Sequence, residues 1–173
     1  MIKSLMIPWQ QELLFNATKT LQPKRILELG TFVGASAKIM SEAAPDAEII
    51  TLNPQAHEVA EARTNLKAYC NITVIQTTSV EYLGEYDGSK FDMIFVDGDH
   101  KHFNYDKVWY NSVSAGGLFL CHDYSPVGTS YACPPVYNGL RAMAKYLGRE
   151  PDIIEIRAGA GMAGFYKRAK EVV

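Results

Sequence analysis

Residues 25–40, RILELGTFVGASAKIM, join a short apolar run to a glycine-bearing turn and then to a run of small residues. The run Arg25–Leu29 is too short for a helix and lacks polar alternation, which predicts a strand covered on both faces. Gly30 and Gly34 allow the turn that follows to come close to a ligand. Because a helix begins with unpaired N–H groups, the helix after this turn favours a carboxylate or a phosphate. The stretch therefore predicts a strand, a loop and a helix with an anion-binding site at the loop.

Similar apolar runs recur along the chain, with helical patterns such as Ala56–Tyr69 between them. Alternating strands and helices predict an α/β, Rossmann-like, doubly wound fold with a mostly parallel seven-stranded sheet. The last two runs have no helix between them, which predicts a C-terminal antiparallel hairpin. The further predicted strands are Glu48–Leu52, Ile72–Gln76, Phe91–Val96, Gly117–Cys121, Ile153–Ile156 and Gly164–Lys167.

The composition indicates the size of the domain and the kind of partner. At 173 residues and 47% hydrophobic, residues 1–173 are expected to form a single domain. A formal net charge of −2 offers no basic field for nucleic acid, so a small molecule is the expected partner. Three irregularly spaced cysteines argue against disulfides and a zinc cluster, and they predict a cytoplasmic protein. We expect neither a signal peptide nor a membrane span, because no long apolar run is present.

Charged side chains stand at the ends of two predicted strands. Phe91–Val96 is followed by Asp97–His100, which reads DGDH, and Gly117–Cys121 is followed by the pair His122-Asp123. The carboxyl ends of parallel strands lie at one edge of a sheet, so both groups are expected to meet near Gly30. Carboxylates and imidazoles that converge in this way can form a metal site or an acid–base pair.

The glycine loop distinguishes two classes of cofactor. A dinucleotide site requires G-x-G-x-x-G, but Phe32 stands two residues after Gly30 and blocks the close approach of a pyrophosphate. This residue disfavours NAD. The pattern E-x-G-x-x-x-G, formed by Glu28, Gly30 and Gly34, resembles the cofactor motif of class I S-adenosylmethionine-dependent methyltransferases. The alternative is a tight turn in which the glycines serve packing alone.

Between Ile26 and Tyr124, the chain resembles the metal-dependent O-methyltransferases of the catechol, caffeoyl-CoA and macrocin types. The resemblance implies S-adenosylmethionine as the methyl donor, Mg²⁺ or Mn²⁺ as the metal, and a small-molecule hydroxyl acceptor such as a sugar or a phenol. It implies that the metal is held by Asp97, His122 and Asp123, although a histidine ligand departs from the catechol type. It also implies that His100 takes the hydroxyl proton, which makes His100 and Asp97 the expected catalytic residues.

The resemblance further implies a set of cofactor contacts. At the end of the second strand, Asn53 replaces the acidic residue that binds the ribose hydroxyls in the family. A neutral amide accepts these hydrogen bonds less strongly than a carboxylate does. The implied cofactor-binding residues are Glu28, Gly30, Phe32, Gly34, Ser36, Asn53, Thr78, Ser79 and Asp97.

Several alternatives stay open at this point. Asp97 could contact only the cofactor, Asp99 could cap a helix, and His122 could stiffen its loop by donating to a backbone carbonyl. The chain could also be a metal-independent methyltransferase with His100 as the base. Because Asn53 weakens the expected ribose contact, a catalytically inactive S-adenosylmethionine-binding protein is a further alternative.

The acceptor side is predicted from the segment after Asp123, a long loop rich in Tyr, Gly and Pro. Loops of this kind at a ligand edge are often functional, and Tyr124, Tyr131 and Tyr137 are candidates for an aromatic acceptor wall. Little sequence precedes Arg25, so we expect the acceptor pocket to be either open or completed by the second subunit of a homodimer.

Overall fold

The computed structural model describes residues 2–173, except for the side chain of His102. Its strands are β1 (Arg25–Leu29), β2 (Glu48–Leu52), β3 (Ile72–Ile75), β4 (Phe91–Val96), β5 (Val113–His122), β6 (Ile153–Arg157) and β7 (Ala160–Tyr166). Its helices are α1 (Pro8–Leu21), α2 (Ala35–Ala43), α3 (Ala56–Asn65), α4 (Ser79–Glu85), α5 (Phe103–Asp106) and α6 (Pro134–Leu147), with 3₁₀ turns on both sides of α5. Within the described residues, no helix combines the length and the apolar character needed to cross a bilayer.

The seven strands form one sheet in the order β3-β2-β1-β4-β5-β7-β6. Neighbours among β1 to β5 pair in parallel, whereas β7 pairs antiparallel with both β5 and β6. The predicted fold class, a mostly parallel sheet with a C-terminal antiparallel hairpin, is therefore confirmed.

The hairpin turn is tighter than the sequence pattern indicates. Ala158 and Gly159, both at positive φ (50° and 87°), connect β6 to β7 as a two-residue turn, so β7 begins earlier than predicted. Gly161 therefore lies within the strand, where a Cβ atom would stand 1.9 Å from the carbonyl oxygen of Tyr124. This glycine serves close packing and not the turn. α3 also ends earlier than predicted, at Asn65.

Helices cover both faces of the sheet, because neighbouring residues of each buried strand point to opposite sides. On one face, Leu14 of α1 and Met40 of α2 pack around Ile26. On the other face, Leu27 packs in a cluster that includes Leu140 of α6. Each fully buried Leu or Ile contributes about 1.5–3 kcal/mol. The two faces together hold the parallel strands in register.

The strand order changes direction between β1 and β4, which makes a crevice at the carboxyl ends of these two strands. The loops that leave them are in contact, since the Asp97 N–H donates to the Leu29 carbonyl at 2.8 Å. A Cβ atom on Gly30 would stand 2.3 Å from the Asp97 carbonyl oxygen, so only glycine fits there. The glycine loop and the first acidic strand end therefore share one edge, as predicted.

Candidate functional site

Two pockets open at this edge, and Gly30 forms part of the wall of both. The first, here called the apolar pocket, is a cavity of about 230 Å³ between the loops that follow β1, β2, β3 and β4. Ser79 lies in its wall and donates its hydroxyl to the buried carboxylate of Asp106 at 2.5 Å. Its lining consists of Leu29, Gly30, Leu52, Pro54, Thr77, Thr78, Ser79, Val80, Gly98, Asp99 and Asp106.

The second, here called the polar pocket, is a smaller cavity of about 70 Å³ on the other side of Gly30. It lies between the segment that precedes α1 and the loop that leads into α2. Lys3 and Asp97 are the charged residues in its lining, and they have opposite charges. The lining consists of Lys3, Ser4, Leu5, Met6, Gly30, Thr31, Phe32, Ala35, Ser36 and Asp97.

The loop between the pockets is strained and firmly held. Phe32 has φ 46°, a left-handed conformation that costs a residue with a side chain about 1 kcal/mol. A buried chain of hydroxyls holds the loop, because Thr31 bonds to Thr51 at 2.5 Å and Thr51 donates to Glu28 at 2.5 Å. Strain of this kind persists only where the surroundings determine the backbone, which is typical of a ligand site.

Glu28 lies beneath this loop and is fully buried. Burial raises the pKa of its carboxyl to about 7, while hydrogen bonds from the Ser36 and Thr51 hydroxyls oppose the rise. The nearby charge of Asp97 raises the pKa further. Glu28 is absent from the lining of both pockets, and its contacts with hydroxyl groups hold the loop in place.

Six of the nine predicted cofactor contacts line one of the two pockets, and Glu28, Gly34 and Asn53 do not. Gly34 begins α2, and a Cβ atom on it would stand 2.7 Å from the Leu66 side chain. In the structure Gly34 thus allows helix entry and close packing. The six that line a pocket are Gly30, Phe32, Ser36, Thr78, Ser79 and Asp97.

Asn53 is buried, and its amide is engaged within its own turn. Its Oδ1 accepts from the Gln55 backbone N–H at 2.9 Å, and its Nδ2 donates to Glu58 at 2.8 Å. The pocket wall at this strand end is formed by Leu52 and Pro54. These contacts are those of a turn that leads into α3.

Four side chains from the ends of β4 and β5 converge beside the polar pocket. We call Asp97, His100, His122 and Asp123 the carboxyl-edge cluster, and one ligand atom from each lies within 4.8 Å of every other. His122 Nδ1 lies 3.1 Å from Asp97 Oδ1 and 3.2 Å from Asp123 Oδ1. Asp123 Oδ2 lies 2.7 Å from His100 Nε2. One carboxylate therefore bridges two imidazoles, and it is aimed by a left-handed backbone at φ 57°.

The cluster is incompletely hydrogen-bonded. Both ring nitrogens of His122 and the Nδ1 atom of His100 are buried without a hydrogen-bond partner among the described residues. His122 Nδ1 approaches two carboxylates closely, but these contacts lack the direction of a hydrogen bond. Buried polar atoms are usually paired, because leaving one unpaired costs about 1–3 kcal/mol. These atoms are therefore available to a group other than the protein.

Charge interactions in the cluster shift the pKa of two members. Burial alone would lower the pKa of His122, but the carboxylates of Asp97 and Asp123 outweigh burial and raise it well above its usual value. Burial would raise the pKa of Asp123, but His100 and His122 hold it well below its usual range. In the ion-free protein, a proton on His122 thus balances the carboxylates. A metal ion must displace this proton in order to bind the imidazole.

The donor set fits a divalent cation. Adjacent ligand atoms on an octahedral Mg²⁺ or Mn²⁺ ion lie about 3.0 Å apart. The separations of 3.1 and 3.2 Å around His122 Nδ1 are close to this value. The mixture of carboxylate oxygen and imidazole nitrogen suits Mn²⁺ at least as well as Mg²⁺. Asp97, His122 and Asp123 can therefore hold such an ion, with His100 close enough to join them.

The tyrosines predicted as an acceptor wall have different environments. Tyr124 is buried and stacks on Tyr137 with ring centroids 4.9 Å apart, so this pair belongs to the core. Tyr131 is 49% exposed. The prediction of a three-tyrosine wall is wrong for Tyr124, because its ring packs inward.

Cys121 is fully buried, and burial raises the pKa of its thiol, as is typical of an inert core residue.

Fold and site define an open α/β protein with a switch-point crevice that joins an apolar pocket, a polar pocket and a carboxylate–imidazole cluster. Residues 27–124, more than half of the chain, match the family model described as "Methyltransferase domain". The chain belongs to this methyltransferase family.

Solved structures of methyltransferases share the fold. An O-methyltransferase from Bacillus cereus, in complex with SAH, superposes with a TM-score of 0.75 at 17% identity, covering 94% of this chain and 82% of that one. The O-methyltransferase TomG from Streptomyces achromogenes, involved in tomaymycin synthesis and in complex with SAM, superposes with a TM-score of 0.76 at 19% identity, covering 94% and 81%.

A curated relative shows sequence similarity over a shorter region. The release factor glutamine methyltransferase of Escherichia coli strain K12 is 31% identical over 101 residues, which cover 54% of this chain and 35% of that protein. The matched region thus spans about a third of the relative's length.

Proposed function

We propose that this chain transfers the methyl group of S-adenosylmethionine to a hydroxyl oxygen of a small molecule, with the help of a divalent cation. The proposal rests on one observation: the apolar pocket, the polar pocket and the carboxyl-edge cluster are connected by two shared residues, Gly30 and Asp97. Gly30 lines both pockets, and Asp97 belongs to both the polar pocket and the carboxyl-edge cluster. A ligand that spans the pockets across Gly30 therefore has its centre close to the cluster.

The chemistry of each pocket matches one end of S-adenosylmethionine. Leu52, Pro54 and Val80 offer apolar surface for the flat adenine ring. Asp97 offers a carboxylate for the positively charged amino group of the methionine end. The sulfonium would then lie near Gly30, which lines both pockets. The SAM and SAH named in the solved O-methyltransferase structures support the choice of S-adenosylmethionine as the ligand.

We assign the metal to Asp97, His122 and Asp123, as predicted from the resemblance. A divalent ion held there would lower the pKa of a bound hydroxyl and orient its oxygen toward the methyl group. The residues also act on each other, since the two carboxylates hold the His122 ring between them. No covalent nucleophile is required, because methyl transfer from a sulfonium is a direct in-line displacement.

His100 is the proposed base. Its Nε2 lies 2.7 Å from Asp123, which assigns the proton of the neutral ring to Nε2 and leaves a lone pair on Nδ1. Nδ1 has no hydrogen-bond partner among the described residues. It can take the acceptor's hydroxyl proton while an oxygen–methyl bond forms and the sulfur–methyl bond breaks. Asp123 positions the ring, as a carboxylate does in other acid–base pairs.

Two binding experiments test the proposal. S-adenosylhomocysteine is expected to bind the wild type, and failure to bind at millimolar concentration would contradict the proposed function. Mn²⁺ is expected to raise the unfolding midpoint of the wild type, because at a concentration of 100 Kd it adds about 2.7 kcal/mol to the free energy of unfolding. His122→Gln should abolish this increase. His57→Gln, an exposed histidine on α3, is the matched control and should leave it unchanged.

A second candidate is a methyltransferase that needs no metal. It is favoured by the pair His100–Asp123, which already orients a base in the ion-free protein. Turnover that persists in excess EDTA, together with no effect of Mn²⁺ on the unfolding midpoint, would select this candidate over the metal-assisted one.

A further inference from the structure

We propose that Lys3 binds the α-carboxylate at the methionine end of the cofactor, an inference that rests on the proposed function. Lys3 lines the polar pocket together with Phe32, Ser36 and Asp97. Its Nζ atom lies 6.0 Å from the centroid of the Phe32 ring, at the loop between the pockets. Among the residues that the structure describes, none forms a salt bridge or a hydrogen bond with the Lys3 side chain.

The charges of the polar pocket select the kind of ligand. Lys3 and Asp97 line the same small cavity but do not form an ion pair with each other. A simple anion would be repelled by Asp97, and a simple cation would be repelled by Lys3. A zwitterionic amino-acid head group matches both, because its ammonium faces Asp97 and its carboxylate faces Lys3. The methionine end of S-adenosylmethionine is such a group.

The segment that carries Lys3 is anchored beside the pocket. Met6 is 5% exposed and belongs to the core cluster that includes Leu14 of α1 and Met40 of α2. Its carbonyl accepts from the Gln11 side chain at 2.7 Å, and its N–H donates to the Ser4 hydroxyl at 3.2 Å. With Met6 fixed, Lys3 stays within reach of the pocket. The proposed contact of Lys3 with the cofactor's carboxylate therefore requires no rearrangement of the fold.

The experiment compares two ligands with two lysine variants by calorimetric titration. The ligands are S-adenosylhomocysteine and its decarboxylated form, which keeps the amine and lacks the carboxylate. The test variant is Lys3→Met. The matched control is Lys19→Met, because Lys19 also lies over a phenylalanine ring, at 5.7 Å from the Phe15 centroid on α1. Both variants lose one positive charge.

Lys3→Met is expected to weaken binding of S-adenosylhomocysteine about fivefold at low salt, as for a solvent-accessible ion pair. It should change binding of the decarboxylated ligand by less than about twofold. Lys3→Arg should retain most of the affinity for the carboxylate. Lys19→Met should leave both affinities unchanged.

Two results would overturn the inference while the proposed function stands. In the first, Lys3→Met binds S-adenosylhomocysteine as tightly as the wild type does. In the second, it weakens both ligands equally, which would assign Lys3 to general electrostatics or to loop packing. If the wild type bound neither ligand, the proposed function and this inference would fail together.

Discussion

Two charged clusters lie at opposite edges of the sheet and differ in how completely they are hydrogen-bonded. At the carboxyl edge, three buried imidazole nitrogens have no partner among the described residues. At the amino edge, Arg149 donates to Glu171 at 2.8 and 2.9 Å, to Asp152 at 2.6 Å and to the Tyr166 carbonyl at 2.7 Å. Tyr110 donates to Glu171 at 2.5 Å. We call Tyr110, Arg149, Asp152 and Glu171 the clasp.

The contrast separates two uses of buried charge. In the clasp, opposite charges face each other with directed hydrogen bonds, so the cluster contributes to stability by itself. In the carboxyl-edge cluster, His122 Nδ1 approaches two carboxylates closely without direction, which leaves its bonding capacity to a ligand. The clasp joins the segment after β7 to the start of β5, whereas the carboxyl-edge cluster joins only strand ends. We therefore expect substitutions in the two clusters to affect different properties.

Asp97→Asn is expected to have the largest effect, lowering the rate of methyl transfer by about 100-fold or more. The substitution removes a proposed metal ligand and the proposed partner of the cofactor's amino group together. Product S-adenosylhomocysteine is the readout, and thermal unfolding is measured in parallel. Asp46→Asn, at an exposed turn before β2, is the control and should retain full activity. A large loss of stability in Asp97→Asn would assign this cluster to structure and break the contrast.

Arg149→Met should lower the free energy of unfolding by about 2–3 kcal/mol, because two carboxylates lose their cation in a partly solvated setting. The hydrogen bond to Glu171 raises the pKa of Arg149, so this cation stays charged at any working pH. Urea unfolding measures the loss. Arg141→Met removes an exposed pair with Glu150 and should leave the midpoint nearly unchanged. Equal effects of the two substitutions would remove the clasp as a stabilising cluster.

Glu28→Gln tests the region beneath the carboxyl edge through pH. Burial raises the pKa of Glu28 to about 7, so the folded state binds more protons than the unfolded state between about pH 4.5 and 7. Stability contributed by this group is therefore lost as pH rises through that window, by about 3 kcal/mol. The difference in unfolding midpoint between the wild type and Glu28→Gln, measured across this pH range, isolates the contribution of Glu28. A difference that does not vary with pH would contradict it.

Glu171→Gln tests the clasp with the opposite pH dependence, because its cost in stability should be present near neutral pH and should shrink as pH falls. The hydrogen bond from Arg149 lowers the pKa of Glu171 to about 2. The stability that this group contributes is present above about pH 4.5 and is lost as pH falls toward 2. Acid unfolding of the wild type should therefore be steeper than that of Glu171→Gln. Parallel acid curves would show that the pairing contributes little.

Local patterns predicted most of the fold. Short buried runs and helical spacing identified β1 to β5, and the absence of a helix before the last run identified the hairpin. The boundaries of β7 were wrong, because Gly161 looks like a turn residue but lies where Tyr124 approaches the strand too closely for a side chain. Such an approach depends on a segment distant in sequence. The sequence around Gly161 therefore cannot predict this approach.

The candidate site was predicted in part. Gly30, Asp97 and His122-Asp123 meet at one edge because each directly follows a parallel strand. Other features had no sequence signal. Lys3 reaches the polar pocket through the packing of Met6, and Asp106 reaches the apolar pocket through its hydrogen bond with Ser79. The roles of Glu28, Gly34 and Asn53 as direct cofactor contacts remain predictions, and none of the three lines a pocket.

The sequence by itself determined that glycine, carboxylate and imidazole groups come together. The alternation of strands and helices predicts parallel strands, and parallel strands end at one edge of the sheet. The tertiary structure alone decided which atoms of these groups are satisfied. Hydrogen bonds depend on distances of a few tenths of an ångström and on side-chain direction. These quantities are set by packing between residues far apart in the chain, as between His100 and Asp123 or between Arg149 and Glu171.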